Sequence, residues 1–587
     1  MAPSAAHQDQ APPEALTAAE GLALVALGVS GTAIMPLALN RFVFAKLAVA
    51  AAGVLLATYP PARGRLPRPV SALLVVAAGL LALAALTGPT PLAQMLGRPP
   101  RYEGIFVLTV YLGAVVGGAR LLGANRAGGA SRRFLAGLAW AALAVGAVAL
   151  LEALGLRPLA SDVARPGSLL GNASDEGAWA ILAMGPLASV AIRGRRPLHI
   201  AGTLAATGTI VCSGSRGALV GAVVAAAILA GLAPAVRPRA VVLVGLAVMV
   251  IGVGALPATR ARVLGGSPLA AKTAAARSLI WAESIRLVLS RPGLGVGPSG
   301  YADAIITLHS SAYYREVVAA DTLDSPHDWP LQAASAGGVG LVAVALGLVG
   351  FTLRLGRLGL RRQVLPGETA IVGGMLAGLC GYAVALLFHF TSPGTTPLAA
   401  VFAGALLANG SVWIPRATIG FVKPAAANWA RRVARLALGA LIVVFMVSAI
   451  AEVPLRRGLL AAASGEVGAA DQAFHQAGQL RPWDAGVGAT AAHAFAGLAA
   501  VGVAGAAAAG DRWDRDELRT YPGSVQALED GATLARALHA PDRARELLNR
   551  ALARDPRNPV VRKELATLVL RSSAAALPGP WDRLRSR

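Results

Sequence analysis

The chain repeatedly contains apolar runs long enough to cross a lipid bilayer. A membrane-spanning helix needs about 20 mostly apolar residues. Runs of this kind begin near Ala18, Phe42, Pro69, Gly104, Phe134, Gly177, Pro197, Gly217, Arg239, Trp329, Thr369, Pro397 and Leu436. Charged residues make up only 14% of the chain, whereas a soluble domain is about 25% charged. The sequence therefore predicts an all-α polytopic membrane protein with about 13 transmembrane helices.

The basic residues between these runs predict the orientation of the chain, whose net charge is +23. With a cytoplasmic N-terminus, the inner loops hold 21 Lys and Arg residues and the short outer connections hold six. This asymmetry is typical of a plasma-membrane protein in that orientation. Because topology accounts for much of the charge, we expect membrane lipids around the chain and no nucleic-acid partner. Cys212 and Cys380 lie in apolar runs and predict neither a disulfide framework nor a CxxC metal site.

The hydropathy divides the chain into three segments. Residues 1–17 are expected to form a cytoplasmic tail, and residues 18–452 a transmembrane domain. Within that domain, residues 258–328 form a long connection that the charge pattern places outside, where long structured loops often carry function. Residues 453–587 carry intermingled charges of both signs and predict a helical domain that an odd number of spans leaves outside the membrane.

This C-terminal segment contains an internal repeat. Small or apolar residues and a proline occur twice with spacings of +4, +7 and +12, as Ala470, Phe474, Ala477 and Pro482, and as Ala544, Leu548, Ala551 and Pro556. The pattern resembles the second helix of a tetratricopeptide repeat. An alanine-rich helical hairpin domain without repeat ancestry is the alternative. In either case we expect the domain to bind a protein partner or the acceptor, or to pack over the outer loop.

Topology leaves three histidines outside and near the membrane, namely His309, His327 and His389. His327 ends the long outer connection, in Asp324-Ser-Pro-His-Asp-Trp329. A histidine at this position can take a proton from a sugar hydroxyl, because its pKa lies near the working pH. The alternative is an interfacial histidine beside an interfacial tryptophan.

Arginines are rare on the outer side, so each one requires an anionic partner. Arg216 lies in a tight turn, Cys212-Ser-Gly-Ser-Arg-Gly217, and Arg277 lies on an amphipathic helical stretch. The planar guanidinium suits phosphate oxygens, and a pyrophosphate would match two of them. The alternative partners are lipid headgroups or the carboxylates of Glu103, Asp175 and Glu176. The outer loops show no carboxylate cluster with metal-ligand spacing, so we expect no metal.

Several short motifs together resemble the membrane O-antigen ligase and polymerase superfamily. They occur in the expected order as Gly97-Arg98-Pro-Pro-Arg101-Tyr-Glu-Gly104, Gly167-Ser-Leu-Leu-Gly171-Asn172, Ser215-Arg216-Gly217-Ala218, Arg277 to Trp281, Pro292-Gly-Leu-Gly-Val-Gly297, and His327 followed by Gly337-Gly-Val-Gly340. The resemblance covers about residues 15–415. Asp328 departs from it, because an amide residue is commoner after the histidine.

The resemblance implies a metal-independent glycosyltransferase of the GT-C type that needs no cofactor. Such enzymes take a glycan from undecaprenyl pyrophosphate and join it to a hydroxyl of a glycan, glycolipid or protein acceptor. It implies that Arg216 and Arg277 bind the pyrophosphate and that His327 activates or orients the acceptor hydroxyl. It also implies substrate binding by Arg98, Arg101 and Arg165.

Three other functions remain open at this point. A polymerase that extends the glycan, or a protein O-oligosaccharyltransferase, would share the donor and the mechanism. A flippase for lipid-linked glycans would instead place ionisable residues at mid-membrane, where only Lys46 and Glu152 are notable. A membrane anchor that displays the C-terminal repeats would tolerate changes at Arg216 and His327.

Overall fold

The computed structural model describes residues 17–60, 62, 64–88, 90–123, 129–159, 165–194, 196–232, 236–264, 268–317, 323–362, 366–411 and 424–576. Regular structure within these ranges is helical, without a β-strand. The predicted cytoplasmic tail, residues 1–17, lies outside the described residues except for Thr17. That residue begins the first helix by accepting a hydrogen bond from the backbone N–H of Glu20, whose carboxylate bonds back to Thr17.

The first eighteen described helices form the apolar part of the chain and its outer connection. They are α1 (Ala18–Val29), α2 (Phe44–Leu56), α3 (Arg68–Thr87), α4 (Pro91–Leu96), α5 (Ile105–Leu122), α6 (Ala130–Ala153), α7 (Ala173–Gly194), α8 (Pro197–Ser213), α9 (Arg216–Leu232), α10 (Val236–Ala255), α11 (Pro257–Val263), α12 (Pro268–Ser290), α13 (Tyr301–Ile305), α14 (Ser311–Glu316), α15 (Trp329–Arg362), α16 (Pro366–Ala385), α17 (Thr396–Ser411) and α18 (Pro424–Ala463).

Each of the thirteen predicted runs coincides with one of these helices, which confirms the all-α polytopic fold. Among the described residues, seven helices are long and apolar enough to cross a membrane: Arg68–Thr87, Ile105–Leu122, Ala130–Ala153, Ala173–Gly194, Trp329–Arg361, Gly367–Phe388 and Asn428–Ala463. The other six runs are not among these seven helices, so the number of thirteen spans stays a prediction. The long connection 258–328 is itself largely helical, in α11 to α14.

Small residues allow the membrane helices to pack closely. A side chain at Gly118 of α5 would meet the backbone oxygen of Val401 at 2.1 Å, and one at Gly404 of α17 would meet that of Val115 at 1.9 Å. Gly221 of α9 and Gly381 of α16 are in similar contact, at 2.3 Å and 2.4 Å. In lipid the hydrophobic effect does not hold helices together. Van der Waals packing at such close backbone contacts takes its place.

The C-terminal segment consists of six further helices that pack as successive hairpins. They are α19 (Val467–Leu480), α20 (Gly486–Ala500), α21 (Ala506–Thr520), α22 (Val525–Ala537), α23 (Pro541–Arg554) and α24 (Pro559–Ala576). The apolar residues of the predicted repeat are among the buried residues of α19 and α23. Assignment of these hairpins to the tetratricopeptide family stays a prediction.

Helix α18 joins the membrane part to the C-terminal hairpins without a loop. It is 40 residues long and includes the predicted boundary at residue 453. Arg481 lies beside its outer half and forms a buried ion pair with Glu452, at 2.7 Å, and another with Asp484, at 3.0 Å. The other oxygen of the Glu452 carboxylate accepts the backbone N–H of Asn40 at 2.9 Å. These bonds fix the hairpins to the membrane part.

Candidate functional site

Helix α12 holds the loop that contains His327. Trp281 donates its indole N–H to the backbone carbonyl of Pro326 at 3.0 Å, one residue before His327. Arg277 lies four residues before Trp281, and residues at this spacing share a helix face. The predicted Arg277 to Trp281 motif therefore places an arginine and a loop anchor on one side of α12. The structure brings Arg277 and His327 into one region.

The two glycine motifs fasten the end of α12 to the beginning of α15. The backbone N–H of Val296 donates to Ser335 at 2.7 Å, and that of Val339 donates to Pro292 at 2.9 Å. Gly338 interrupts α15 with φ of +72°, and a side chain there would lie 2.0 Å from the Gly293 oxygen. Only glycine tolerates both the positive φ and the close approach of this oxygen. These motifs build the frame of the site.

Three arginines lie together at the junction of α9, α11 and α12. The guanidinium of Arg216 donates to the backbone oxygen of Arg262 at 2.6 Å and 3.1 Å. Arg277 lies close enough for its pKa to be lowered, first by burial and then by the charges of Arg262 and Arg216. Arg165 approaches the same turn, with a distance of 3.5 Å from its guanidinium to the Ser213 oxygen.

This concentration of positive charge is suited to a multivalent anion, which would relieve the mutual repulsion of the guanidinium groups. We name Arg216, Arg262 and Arg277 the arginine cluster. The sequence analysis identified Arg216 and Arg277 but missed Arg262, which stands in a run of residues with no recognisable motif. Its position beside Arg216 depends on how α10 and α11 return to the outer end of α8, which spacing alone does not give.

His327 has an environment that favours the neutral imidazole. Its backbone adopts φ of +53°, and its ring lies 5.1 Å from the ring of Phe390. Burial is the main cause that lowers the pKa of His327 to about 3. The positive charges of His389, Arg277 and Arg101 act in the same direction. The imidazole is therefore neutral and can accept a proton, but a pKa this low makes it a weaker base than the sequence argument assumed, which relied on a pKa near the working pH. Negative charge brought by a bound anion would raise this pKa.

The two other histidines that the sequence analysis placed outside are held by carboxylates. His309 lies 2.9 Å from Glu283 and stacks on Tyr313 with 3.7 Å between ring centroids. His389 lies 2.9 Å from Asp175, and its ring centroid is 6.5 Å from that of His327. His309 therefore supports the outer connection, whereas His389 belongs to the surroundings of His327. The sequence analysis named Asp175 only as a possible partner of an arginine and did not pair it with His389.

Arg101 lies on another side of His327 and is bound to carboxylates. It donates to the Asp324 carboxylate and to the Asp324 backbone oxygen, both at 2.7 Å, and lies 3.3 Å from Glu103. Its guanidinium carbon is 4.2 Å from the ring centroid of Phe390. Burial raises the pKa of Glu103 to about 7, an effect that Arg101 opposes. Gln332 and Thr391 also bond to Glu103, at 3.1 Å and 2.9 Å.

The described contacts of Arg98 include no residue of the arginine cluster. Arg98 forms an ion pair with Asp303 of α13, and its guanidinium lies 3.9 Å from the ring centroid of Tyr521. Arg98 thus links the outer connection to the C-terminal hairpins. The predicted substrate-binding residues therefore fall into two groups, with Arg165 beside the arginine cluster and with Arg98 and Arg101 on the side facing those hairpins.

The described part of the chain contains no group of three or more His, Cys, Asp or Glu residues arranged to hold a metal ion. The charge available to neutralise a phosphorylated substrate is that of the arginines. Metal independence stays a prediction.

Comparison with known proteins gives one match, and it lies over the site. Residues 201–353 match the family model described as O-antigen ligase. That range contains the arginine cluster, His327 and both glycine motifs, whereas Arg98, Arg101 and Arg165 precede it. The predicted resemblance is thus confirmed for this part of the chain. No curated protein matches the chain.

Proposed function

We propose that this member of the O-antigen ligase superfamily transfers a glycan from undecaprenyl pyrophosphate to an acceptor hydroxyl at the outer face of the plasma membrane. The family indicates a membrane protein that acts on a lipid-linked glycan and an acceptor in a ligase or polymerase type of reaction. The single observation that carries the finer proposal is the position of His327 on the loop that Trp281 holds against α12, the helix that carries Arg277 of the arginine cluster.

In the proposed reaction the arginine cluster holds the pyrophosphate of the donor. The acceptor oxygen forms a bond to the anomeric carbon while the bond from that carbon to the phosphate oxygen breaks. The electron pair of the broken bond goes to the pyrophosphate, whose developing charge Arg216, Arg262 and Arg277 stabilise. Groups preorganised around such a charge in a partly dehydrated site supply a large share of catalysis.

His327 is proposed to accept the proton of the acceptor hydroxyl. It is neutral in the free protein because of burial and the neighbouring positive charge. The bond between Trp281 and Pro326 holds its loop against the helix that carries Arg277. The base and Arg277 are thereby both fixed to α12, which limits the motion of one relative to the other. No metal or cofactor takes part in this proposal.

The proposed orientation follows from the charge asymmetry. With the N-terminus cytoplasmic, the arginine cluster, His327 and the C-terminal hairpins lie outside the membrane. The lipid chain of the carrier then explains why the site is at the end of the membrane helices.

The flippase alternative receives less support. Lys46 donates to the backbone oxygens of Leu169 and Ala33, at 2.6 Å and 3.2 Å. Glu152 accepts the backbone N–H groups of Gly167 and Ser168, at 2.8 Å and 2.9 Å. Both charged side chains thus hold one short backbone segment. A polymerase or a protein O-oligosaccharyltransferase shares the proposed chemistry, and identification of the product distinguishes them from a ligase.

The proposal is tested with full-length protein in lipid nanodiscs. Replacement of His327 by Ala should lower turnover by about 10²- to 10⁴-fold with little change in carrier binding. Replacement of Arg277 by Ala should weaken binding of undecaprenyl pyrophosphate, and Lys should restore only part of it because the planar fork is lost. Turnover is measured as released carrier pyrophosphate.

Two exposed residues serve as controls, one on the same helix as Arg277 and one remote from the site. Arg286 is an exposed arginine of α12, and His475 is an exposed histidine of α19. Their Ala variants should behave as the wild-type protein does. Normal turnover in His327→Ala, or equal losses in Arg277→Ala and Arg286→Ala, would contradict the proposed roles.

A further inference from the structure

A cavity of about 790 Å³ lies between the membrane helices and the C-terminal hairpins. Its volume is in the range typical of ligand sites. Apolar residues of α3, α5 and α15 form one wall, including Leu81, Leu112 and Leu348. The opposite wall is polar and comes from the end of α21 and the beginning of α22, with Tyr521 and Gln526. One face thus suits a hydrocarbon chain and the other a hydrated group.

The cavity adjoins the candidate site through Arg101. Arg101, Glu103 and Gln332 line it, whereas its described lining does not include the arginine cluster. Arg101 and His327 both lie on the Phe390 ring, at 4.2 Å and 5.1 Å from its centroid. His327 therefore has the arginine cluster as one neighbour and the wall of this cavity as another. The described lining does not include His327 itself, so Arg101, which lies both on the cavity wall and on the Phe390 ring, is the contact between the cavity and the surroundings of His327.

The polar wall is held in place by bonds between the hairpins and the outer connection. Arg98 connects Asp303 to Tyr521. Arg557 of the C-terminal segment donates to the backbone oxygen of His309 at 3.1 Å, and Tyr314 donates to Asp555. Because these contacts join different hairpins to α13 and α14, the wall does not depend on a single side chain. The C-terminal segment is a preformed part of the cavity.

The chemistry of the polar wall is suited to a neutral, hydroxyl-rich group. Gln526 carries an amide, oriented by Asp530 at 3.2 Å, and Tyr521 carries a phenol and an aromatic face. Such groups donate to and accept from hydroxyls. Burial, followed by the charges of Asp530 and Asp514, raises the pKa of Glu517 to about 8. The carboxyl is then largely protonated at neutral pH and behaves as another donor and acceptor.

We propose that this cavity binds the saccharide part of a lipid-anchored acceptor, with Tyr521 and Gln526 as sugar contacts and the apolar part of the acceptor against α3 and α15. The inference rests on the proposed function and extends it, because it assigns acceptor recognition to the C-terminal segment. The donor pyrophosphate occupies the arginine cluster, the acceptor saccharide occupies the cavity, and His327 lies between them.

A cross-linking experiment tests this binding without requiring turnover. The photoreactive residue p-benzoylphenylalanine is placed at position 526 of the full chain in nanodiscs, in the His327→Ala background. The probe is the total membrane glycolipid fraction of the source cells, labelled with tritium in its sugars. We expect labelled adducts at position 526, and fewer with saccharides released from their lipid. Position 476, where Gln476 is an exposed glutamine of α19, is the control.

A kinetic experiment distinguishes recognition from structure. Gln526→Ala should raise the acceptor KM about tenfold, as expected for a lost sugar hydrogen bond, with kcat nearly unchanged. Tyr521→Phe retains the contact with Arg98 and should raise the KM about threefold. Gln476→Ala should change neither constant.

The outcomes separate this inference from the proposed function. Cross-linking at 526 without any glycan transfer by the wild-type chain would refute the proposed function but would still support the glycolipid site. Glycan transfer with a wild-type acceptor KM in Gln526→Ala would overturn the acceptor site and leave the proposed function standing. Equal labelling at 526 and 476, or none at 526, would also overturn it.

Discussion

The pH dependence of turnover should reveal the unusual environment of His327. A general base acts only when unprotonated, so the rate is full above its pKa and falls as the pH decreases through it. In the free protein, burial and the adjacent positive charges lower the pKa of His327 to about 3. We therefore expect the acid limb of kcat/KM, which reports the free enzyme, to lie well below the ordinary histidine value of about 6.5.

Binding of the donor should shift the acid limb of the pH profile to higher pH. The pyrophosphate brings negative charge to Arg277, one of the groups whose charge lowers the pKa of His327. Compensation of that charge raises the pKa, so the acid limb of kcat, which reports the complex, should lie at higher pH than that of kcat/KM.

Replacement of Arg101 by Gln gives an effect whose size follows from the structure. The distances of Arg101 and His327 from the Phe390 ring, 4.2 Å and 5.1 Å, place the guanidinium within about 9 Å of the imidazole. At an effective dielectric constant of about 20, this charge contributes about 2 kcal/mol, or roughly one pH unit. The variant should raise the acid limb of kcat/KM by about that amount, and Arg101→Lys by less.

The assay is release of carrier pyrophosphate in nanodiscs over a pH series, with rates at saturating and limiting donor. Stability of each variant over the same series is the control, measured by thermal aggregation. An acid limb near 6.5 in the wild-type protein that Arg101→Gln does not move would refute the electrostatic reasoning. An acid limb that moves to lower pH in Arg101→Gln would show that the sign is wrong.

Further predictions concern metal, topology and stability. Turnover should persist in EDTA, because arginines neutralise the pyrophosphate; loss of activity that magnesium or manganese restores would contradict this. In a cysteine-free background, Ser278→Cys and Glu546→Cys should react with an impermeant reagent from outside, whereas reaction only after permeabilisation would reverse the orientation. Arg481→Ala should cost about 3–5 kcal/mol, because it leaves Glu452 buried without its cation. Arg536→Ala, which breaks the partly exposed pair with Glu564, should cost about 1 kcal/mol or less, so equal losses in thermal unfolding would refute this comparison.

Features that depend on local sequence could be predicted, because they follow from periodicity and backbone preference. The apolar runs give the helices, and the four-residue spacing of Arg277 and Trp281 gives a shared face. Features that depend on distant segments could not. The pair of His389 with Asp175, 214 residues apart in sequence, requires the packing of α7 against α16. Likewise, the bond of Arg101 to Asp324 depends on the return of the long connection.

Helix α18 continues directly into the C-terminal hairpins. Its length therefore determines the angle of the hairpins relative to the membrane helices. Forty residues extend about 60 Å, roughly twice the hydrocarbon core of a bilayer. Each residue inserted into the outer part of this helix turns everything beyond it by about 100° and lifts it by about 1.5 Å.

Insertions into α18 would therefore rotate the C-terminal segment and change which of its faces borders the cavity. Two extra residues would turn Tyr521 and Gln526 by about 200°, away from α3 and α15. Seven would nearly restore the angle and raise the hairpins by about 10 Å. The number of residues between the membrane and the first hairpin thus determines which face of the C-terminal segment is directed toward His327.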